Sequence, residues 1–462
     1  MTQPGCDLAP LATVCTIYAI SDTLGLSHGT HIMNSTVIED RVQSTSTTPM
    51  RRLIVATSIG NALEWFDFAA YGFFAVTLSK LFFPAHDETV SLLLTFGTFG
   101  LSYVFRPLGA LLLGRYADRR GRKAALLAAL ALTTIGTLIC AVIPTYASIG
   151  IAAPIGLMTA RILISFSTGG EFGSGTALMI EQKSKRKSFL GSWQFSSQGM
   201  STVLASCAGL ALSTQLSPAQ IESWGWRAPF IFGLLVAPVG LYIRKHIDDT
   251  LPAAGHAATH NAPVRELLAH SKARILIAAG IMAVSTAASY LMILYMPTYA
   301  VKQLHLPAST GFAATVVTGT ILMVFTPLMG HLSDRYGRSR MMVISAIATL
   351  ATIYPCFVWL VKSPSFAVLI AIMALAGILK AIYFGPLAAV LSSLFPTHVR
   401  STGLGFSYNL GVMVFGGFTP WLVTAMIGAT HDPLSPAFYL MACAALSLAC
   451  IALYHFKLVK HI

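Results

Sequence analysis

Five ionisable side chains stand alone in long apolar runs: Glu64 and Asp67 in one run, and Arg106, Arg161 and Lys380 in three others. A charge in apolar surroundings is costly, so each of the five needs a partner or a task. On a helix, Glu64 and Asp67 are three apart and share one side. Two carboxylates in a low-dielectric cavity repel each other, and a shared proton relieves the repulsion. Such a pair can take up and release a proton, as proton coupling requires. The alternative is that both acids pair with Arg106 or Arg161 and hold helices together. Arg161 carries Ser165 and Thr168 on its own face, at i+4 and i+7, and a guanidinium there can grip a carboxylate through two parallel hydrogen bonds or close a buried ion pair. Arg106, followed at once by Pro107, fits a structural partner for a carboxylate as well as a substrate contact. Glu171 suits a proton relay or a local pair, and the glycines at 169, 170, 173 and 175 around it suit close helix packing. Tyr290 and Tyr383, the latter three residues past Lys380, offer hydroxyls to a carboxylate. Tyr299 reads as an interfacial anchor. Gln194, Gln198 and Asn409 can serve as ligands or as helix–helix bonds.

The elements that hold these residues follow from composition. Of 462 residues 55% are apolar and only 10% charged, with a mean hydropathy of +0.70; soluble domains carry about 25% charged residues. From Arg51 onward, twelve apolar segments each approach the ~20 residues that a bilayer demands. They cover approximately 53–81, 90–114, 123–143, 149–178, 189–213, 227–244, 273–300, 308–331, 340–361, 365–392, 401–427 and 435–456. In hydrocarbon, backbone groups must be satisfied internally, so the segments are predicted to be helices. Prolines at 107, 154, 238, 297, 327, 386 and 420 mark expected kinks or local openings. Of the 30 Lys and Arg residues, 23 fall on the side of residue 51 and three (Lys80, Lys302, Lys362) on the other. That bias puts both termini in the cytoplasm, and it accounts for the net charge of +13 without nucleic acid. The seven cysteines include no Cys-x-x-Cys pair, and no metal cluster, nucleophile motif or phosphate loop appears. Residues 1–50 read as a polar cytoplasmic tail, with Met33 and Met50 as alternative starts. Residues 246–272 read as a central cytoplasmic loop and 458–462 as a cytoplasmic end.

A charged motif organises the chain. Gly114-x-x-x-Asp118-Arg119-x-Gly121-Arg122 returns 216 positions later (330 − 114) as Gly330-x-x-x-Asp334-Arg335-x-Gly337-Arg338. A second repeat pairs Arg186 with Arg400, each five residues before a glycine. Two copies in one setting mark a duplicated architecture, with halves at 51–245 and 273–457. Charges at helix ends can lock two spans together while one side of the bundle is shut, so these residues are candidates for a gate.

Twelve spans in two halves, with this loop after spans two and eight, resemble the major facilitator superfamily. The stretches Gly60-Asn61-Ala-Leu-Glu64-Trp-Phe66-Asp67-Phe68, Arg106-Pro107-Leu-Gly109, Gly169-Gly170-Glu171, Ser192-Trp193-Gln194 and Trp224-Gly-Trp226-Arg227 are similar to its metabolite:proton symporter branch, citrate and tricarballylate carriers above all. Departures are Ile164-Ser165-Phe166, Ser392-Ser393 and Lys380. The resemblance implies an all-α membrane protein, twelve transmembrane helices in two pseudo-symmetric six-helix halves around a central cavity lined by spans one, four, seven and ten. Subtracting the repeat offset maps Lys380 to position 164, within a turn of Arg161, which puts two cations on opposite walls of that cavity. The expectation is a monomeric proton symporter of the bacterial inner membrane. It has no cofactor beyond the coupling proton and imports a di- or tricarboxylate bound by Arg161, Lys380, Tyr290, Tyr383, Arg106 and Gln194, with Asp67, Glu64 and Glu171 handling protons. A zwitterion or osmolyte of the proline or betaine type, or a monocarboxylate such as shikimate, is the alternative cargo.

Overall fold

The computed structural model describes residues 50–120, 122–170, 176, 180, 186–246, 271–396 and 400–455. The tail, most of the central loop, the C-terminal end and Glu171 lie outside them, as do the side chains of Asp118, Arg119 and Arg122. The helices among the described residues give twelve spans. These are α1 (Met50–Phe73, resuming as Ala75–Phe82), α2 (Glu88–Tyr103, then Phe105–Arg120), α3 (Arg122–Val142), α4 (Ala152–Gly169), α5 (Lys187–Gln215) and α6 (Ala228–Gly233, then Val236–His246). The second half has α7 (Lys272–Ser289, then Tyr290–Tyr295 and Met296–Lys302), α8 (Ala308–Tyr336), α9 (Arg338–Lys362), α10 (Phe366–Ser393), α11 (Arg400–Val412, then Met413–Gly417 and Thr419–Thr430) and α12 (Ser435–Tyr454). Eight of these, α2, α3 and α7–α12, are long and apolar enough to cross a membrane by length and composition alone, and Gly225–Leu241 adds a shorter apolar helix. Three of the four spans that fall short carry polar loads, two acids in α1, Arg161 in α4 and a run of serines in α5, and the fourth, α6, is broken into two short helices.

The prolines explain most of the interruptions. Each removes the donor for the carbonyl four residues earlier. For Pro107 that carbonyl belongs to Tyr103, where α2 breaks, and for Pro238 to Leu234, where α6 breaks. For Pro297 and Pro420 it falls in the wide π-turns Tyr290–Tyr295 and Met413–Gly417. Pro327 shows the other remedy. The carbonyl it frees, Met323 O, accepts a hydrogen bond from Ser196 Oγ of α5 at 2.6 Å, so α8 stays continuous. Pro386 lies inside an unbroken α10, and Pro154 in the first turn of α4.

The halves meet where α5 packs on α8 and α10 and where α2 packs on α11. Within the first half, α2 and α4 touch backbone to backbone. A Cβ on Gly109 would stand 1.8 Å from Phe166 O, and one on Gly169 would stand 2.0 Å from Arg106 O. Glycine at both crossing points fixes the depth at which Arg106 and Arg161 face each other's helices.

Candidate functional site

Asp67 and Arg161 form the centre of the site. Arg161 NH1 donates to Asp67 Oδ2 at 2.8 Å, and both side chains are buried. Thr137 Oγ1 of α3 adds a longer bond to Asp67 Oδ1 at 3.3 Å. The guanidinium lies against Phe68, Tyr71 and Phe99, with centroid distances of 4.8, 4.7 and 5.4 Å. Its Nε and NH2 have no hydrogen-bond partner. The pair ties α1 to α4 and leaves half of the donor fork unused. Such a pair is stable only while both members keep their charge.

Glu64, one turn earlier and also buried, acts electrostatically on Tyr408 of α11, whereas Asp67 is engaged by α3 and α4. The two acids therefore serve different neighbours. Arg106 is fully buried against Trp65, Phe68 and Tyr103, and among the described residues no carboxylate lies within ion-pair distance of it.

A cavity of about 260 Å³ lies between the halves, lined by Trp65 of α1, Phe195 and Gln198 of α5, Tyr290 of α7, Phe384 of α10 and Tyr408 of α11, among others. Contacts between the halves surround it. Tyr290 Oη donates to Tyr103 Oη at 2.8 Å across the halves, Gln198 Nε2 donates to Tyr408 Oη at 3.3 Å, and Phe195 stacks on Phe384 at 4.4 Å.

Lys380 departs from the expected arrangement. It lines a larger cavity, about 500 Å³, inside the second half among α7, α9, α10 and α12. Its Nζ lies 4.6 Å from the Phe384 ring, which itself borders the cavity between the halves. Neither Arg161 nor Lys380 lines that central cavity, so the two cations do not face each other across it in this conformation. The offset of 216 sets height along the helices and leaves helix rotation open, and rotation is what separates them.

Several other polar candidates join helices. Gln194 Nε2 donates to Asn61 Oδ1 at 2.8 Å, and Asn61 Nδ2 returns a bond to Gln194 O at 3.0 Å. Tyr383 Oη donates to Ile281 O at 2.6 Å, and Asn409 Nδ2 donates to Gly169 O at 2.9 Å. Tyr299, expected at a membrane interface, is buried instead and donates to Pro433 O at 2.7 Å.

At the end of the bundle where α8 turns into α9, Asp334 accepts from Ser188 N at 3.2 Å, from Phe189 N at 3.1 Å and from Arg338 NH2 at 3.0 Å. A carboxylate from the second half thus caps the positive end of α5 in the first. Gly337 makes the turn with φ of +101°. Arg335 is exposed. Arg400 Nε donates to Ser392 O and Phe395 O, at 3.1 and 3.4 Å, and braces the α10–α11 corner. Arg186 precedes α5 at its N-cap. At the opposite end Lys302 of α7 pairs with Glu88 of α2. Among the described residues, both ends carry contacts between the halves.

Two helical halves tied to each other at both ends, with a buried ion pair inside the first, have the build of a membrane carrier. The Major Facilitator Superfamily family model matches residues 57–327, and the Sugar (and other) transporter model matches 246–461. A citrate-proton symporter of Klebsiella pneumoniae is 34% identical, covering 88% of this chain and 94% of that protein. A proline/betaine transporter of Escherichia coli (strain K12) is 31% identical, covering 86% and 82%. Among solved structures, the xylose transporter XylE from E. coli in a partially occluded inward-open conformation superposes with a TM-score of 0.71 at 16% identity, over 89% of this chain and 98% of that one. The chain belongs to the Major Facilitator Superfamily. It is a multi-pass membrane transporter, not an enzyme.

Proposed function

We propose that the chain is a proton symporter that imports a small organic anion with two or three carboxylates, such as citrate or tricarballylate, by alternating access. The observation that carries this reading is the buried Asp67–Arg161 pair. A proton delivered to Asp67 neutralises the acid and leaves Arg161 with an uncompensated charge in a dry site, a state that an incoming carboxylate relieves. Substrate and proton then stabilise each other's binding. Loss of the proton restores the pair and frees the anion. Glu64, beside Tyr408, and Glu171 serve as stations for the proton. Tyr290 supplies a hydroxyl at the cavity wall, and Lys380 stands one ring away behind Phe384. Asp334, with Arg335 and Arg338, latches the inner side together with Asp118, Arg119 and Arg122, and Arg186 and Arg400 brace it. The carrier works as a monomer in a bacterial inner membrane, termini inside, with halves at 51–245 and 273–457, and needs no cofactor beyond the proton.

A second reading has its own support. The cavity wall is rich in aromatic faces, Trp65, Phe195, Tyr290, Phe384 and Tyr408, which attract quaternary ammonium groups, and relatives include proline/betaine transporters. Uptake into proteoliposomes under an inward proton gradient separates the two. Labelled citrate is expected to accumulate and labelled betaine is not, with Lys380→Ala reducing uptake of tricarboxylates more than of monocarboxylates. Accumulation of betaine that citrate fails to inhibit would reverse the assignment.

A further inference from the structure

Arg106 is buried completely, and its Nε, NH1 and NH2 all lack a hydrogen-bond partner. Its surroundings are ring faces: Cζ lies 5.4 Å from the Trp65 centroid, 4.4 Å from Phe68 and 4.2 Å from Tyr103. Aromatic faces attract a guanidinium, yet they offer no acceptor for its five N–H groups. Its backbone cannot retreat, because its carbonyl lies against Gly169 of α4. Arg161 differs, since Asp67 occupies its NH1. Of the three rings on Arg106, Trp65 lines the cavity between the halves. A second, Tyr103, is tied through its hydroxyl to Tyr290, which lines the same cavity from the other half. Ring faces and one inter-half hydrogen bond stand between this unused donor fork and the central space.

We propose that Arg106 is the anchor for a substrate carboxylate, and that the Tyr103–Tyr290 hydrogen bond is a cover that withholds it while the carrier is closed. The inference rests on the organic-anion reading above and deepens it by dividing the work. Arg161 answers to the proton through Asp67, and Arg106 answers to the cargo. When α7 moves away from α2, Tyr290 leaves Tyr103 and the guanidinium meets the cavity. A carboxylate then takes NH1 and NH2 together, satisfying donors that the closed protein leaves bare. Because the cover joins the two halves, reclosure and cargo binding are mechanically linked at one hydroxyl.

The test measures binding without transport, in nanodiscs holding the full chain, with labelled citrate, tricarballylate and betaine as probes. Wild type is expected to bind at least one tricarboxylate. Arg106→Lys keeps the charge and loses the fork, and is expected to weaken that binding about tenfold or more; Arg106→Gln is expected to abolish it. Phenylglyoxal modification of wild-type Arg106, read by peptide mass, is expected to be slow, faster in Tyr290→Phe, and suppressed by citrate. Wild-type binding with both Arg106 variants within about twofold of it overturns this inference and leaves the organic-anion reading standing. Wild-type binding of betaine alone overturns both. If Arg106→Gln does not fold, Arg106→Lys and the wild-type protection assay decide the matter, and labelling indifferent to citrate counts against the proposal.

Discussion

Breaking a buried ion pair strands a charge, and the cost is ~3–5 kcal/mol. Asp67→Asn is therefore expected to lower thermal stability in detergent by several kcal/mol, because Arg161 keeps its charge among Phe68, Tyr71 and Phe99. Adding Arg161→Gln removes the stranded charge, so the double variant is expected to melt well above the single one. Proton-driven accumulation should vanish in both. Equal melting of wild type and Asp67→Asn would show that the pair is not intact in the protein. That Asp67 and Arg161 each need a partner was legible in the sequence, because a charge in an apolar run demands a reason. Their pairing was not. Arg106 and Arg161 were equivalent partners on paper, and helix rotation, set by the glycine contacts of α2 with α4, chose between them. Lys380 misled for the same reason, since a repeat offset carries depth but no azimuth.

At the scale of helices, the opening glycine of the charged motif and the glycine one turn and a half before it have different tasks. A Cβ on Gly114 would meet nothing within 4 Å, whereas one on Gly109 would collide with the backbone of Phe166 at 1.8 Å. Gly114→Ala is expected to be neutral or to stabilise, by up to ~1 kcal/mol from helix propensity. Gly109→Ala is expected to destabilise by ~1–3 kcal/mol or more, since backbone cannot give way as a side chain can. Thermal unfolding of the two variants checks the contrast, and equal melting temperatures would refute the crossing as described. At the end of the bundle opposite the α8–α9 turn, Lys302 pairs with Glu88. Glu88→Gln is expected to raise the accessibility of a reporter cysteine beside this pair by at most about fivefold, because exposed pairs are worth ~0–1 kcal/mol. A much larger rise would show that this pair carries more of the closure than an exposed contact can. Positions of α2, α6, α7 and α11 irregularities were readable from Pro107, Pro238, Pro297 and Pro420. That Pro327 would leave α8 intact was not, because the remedy comes from Ser196 on a different helix.

For the whole molecule, the variable that matters in the proposed cycle is which end of the bundle opens, and Asp334 joins the two halves at one of those ends. Its carboxylate accepts two backbone N–H groups at the start of α5 and one bond from Arg338, so a charge of the second half neutralises the positive helix end of the first. The duplication in sequence marked these charges, and the spacing of Asp334, Gly337 and Arg338 marked the turn. What spacing left open was the acceptor's target, the backbone of Ser188 and Phe189, since main-chain donors have no sequence signature. Asp334→Asn keeps the shape and removes the charge. Hydrogen bonds to a charged group are worth ~1.5–3 kcal/mol, so the variant should raise the population open at the α8–α9 end by roughly 10- to 100-fold relative to closed. Spin labels on exposed positions of α5 and α8 should report a longer distance distribution, and a cysteine beside Ser188 should react faster with a soluble thiol reagent. Uptake should fall while the buried Asp67–Arg161 pair stays formed and melting temperature changes little. Unaltered distances with slowed uptake would mean that Asp334 acts on the transition between states and not on their balance.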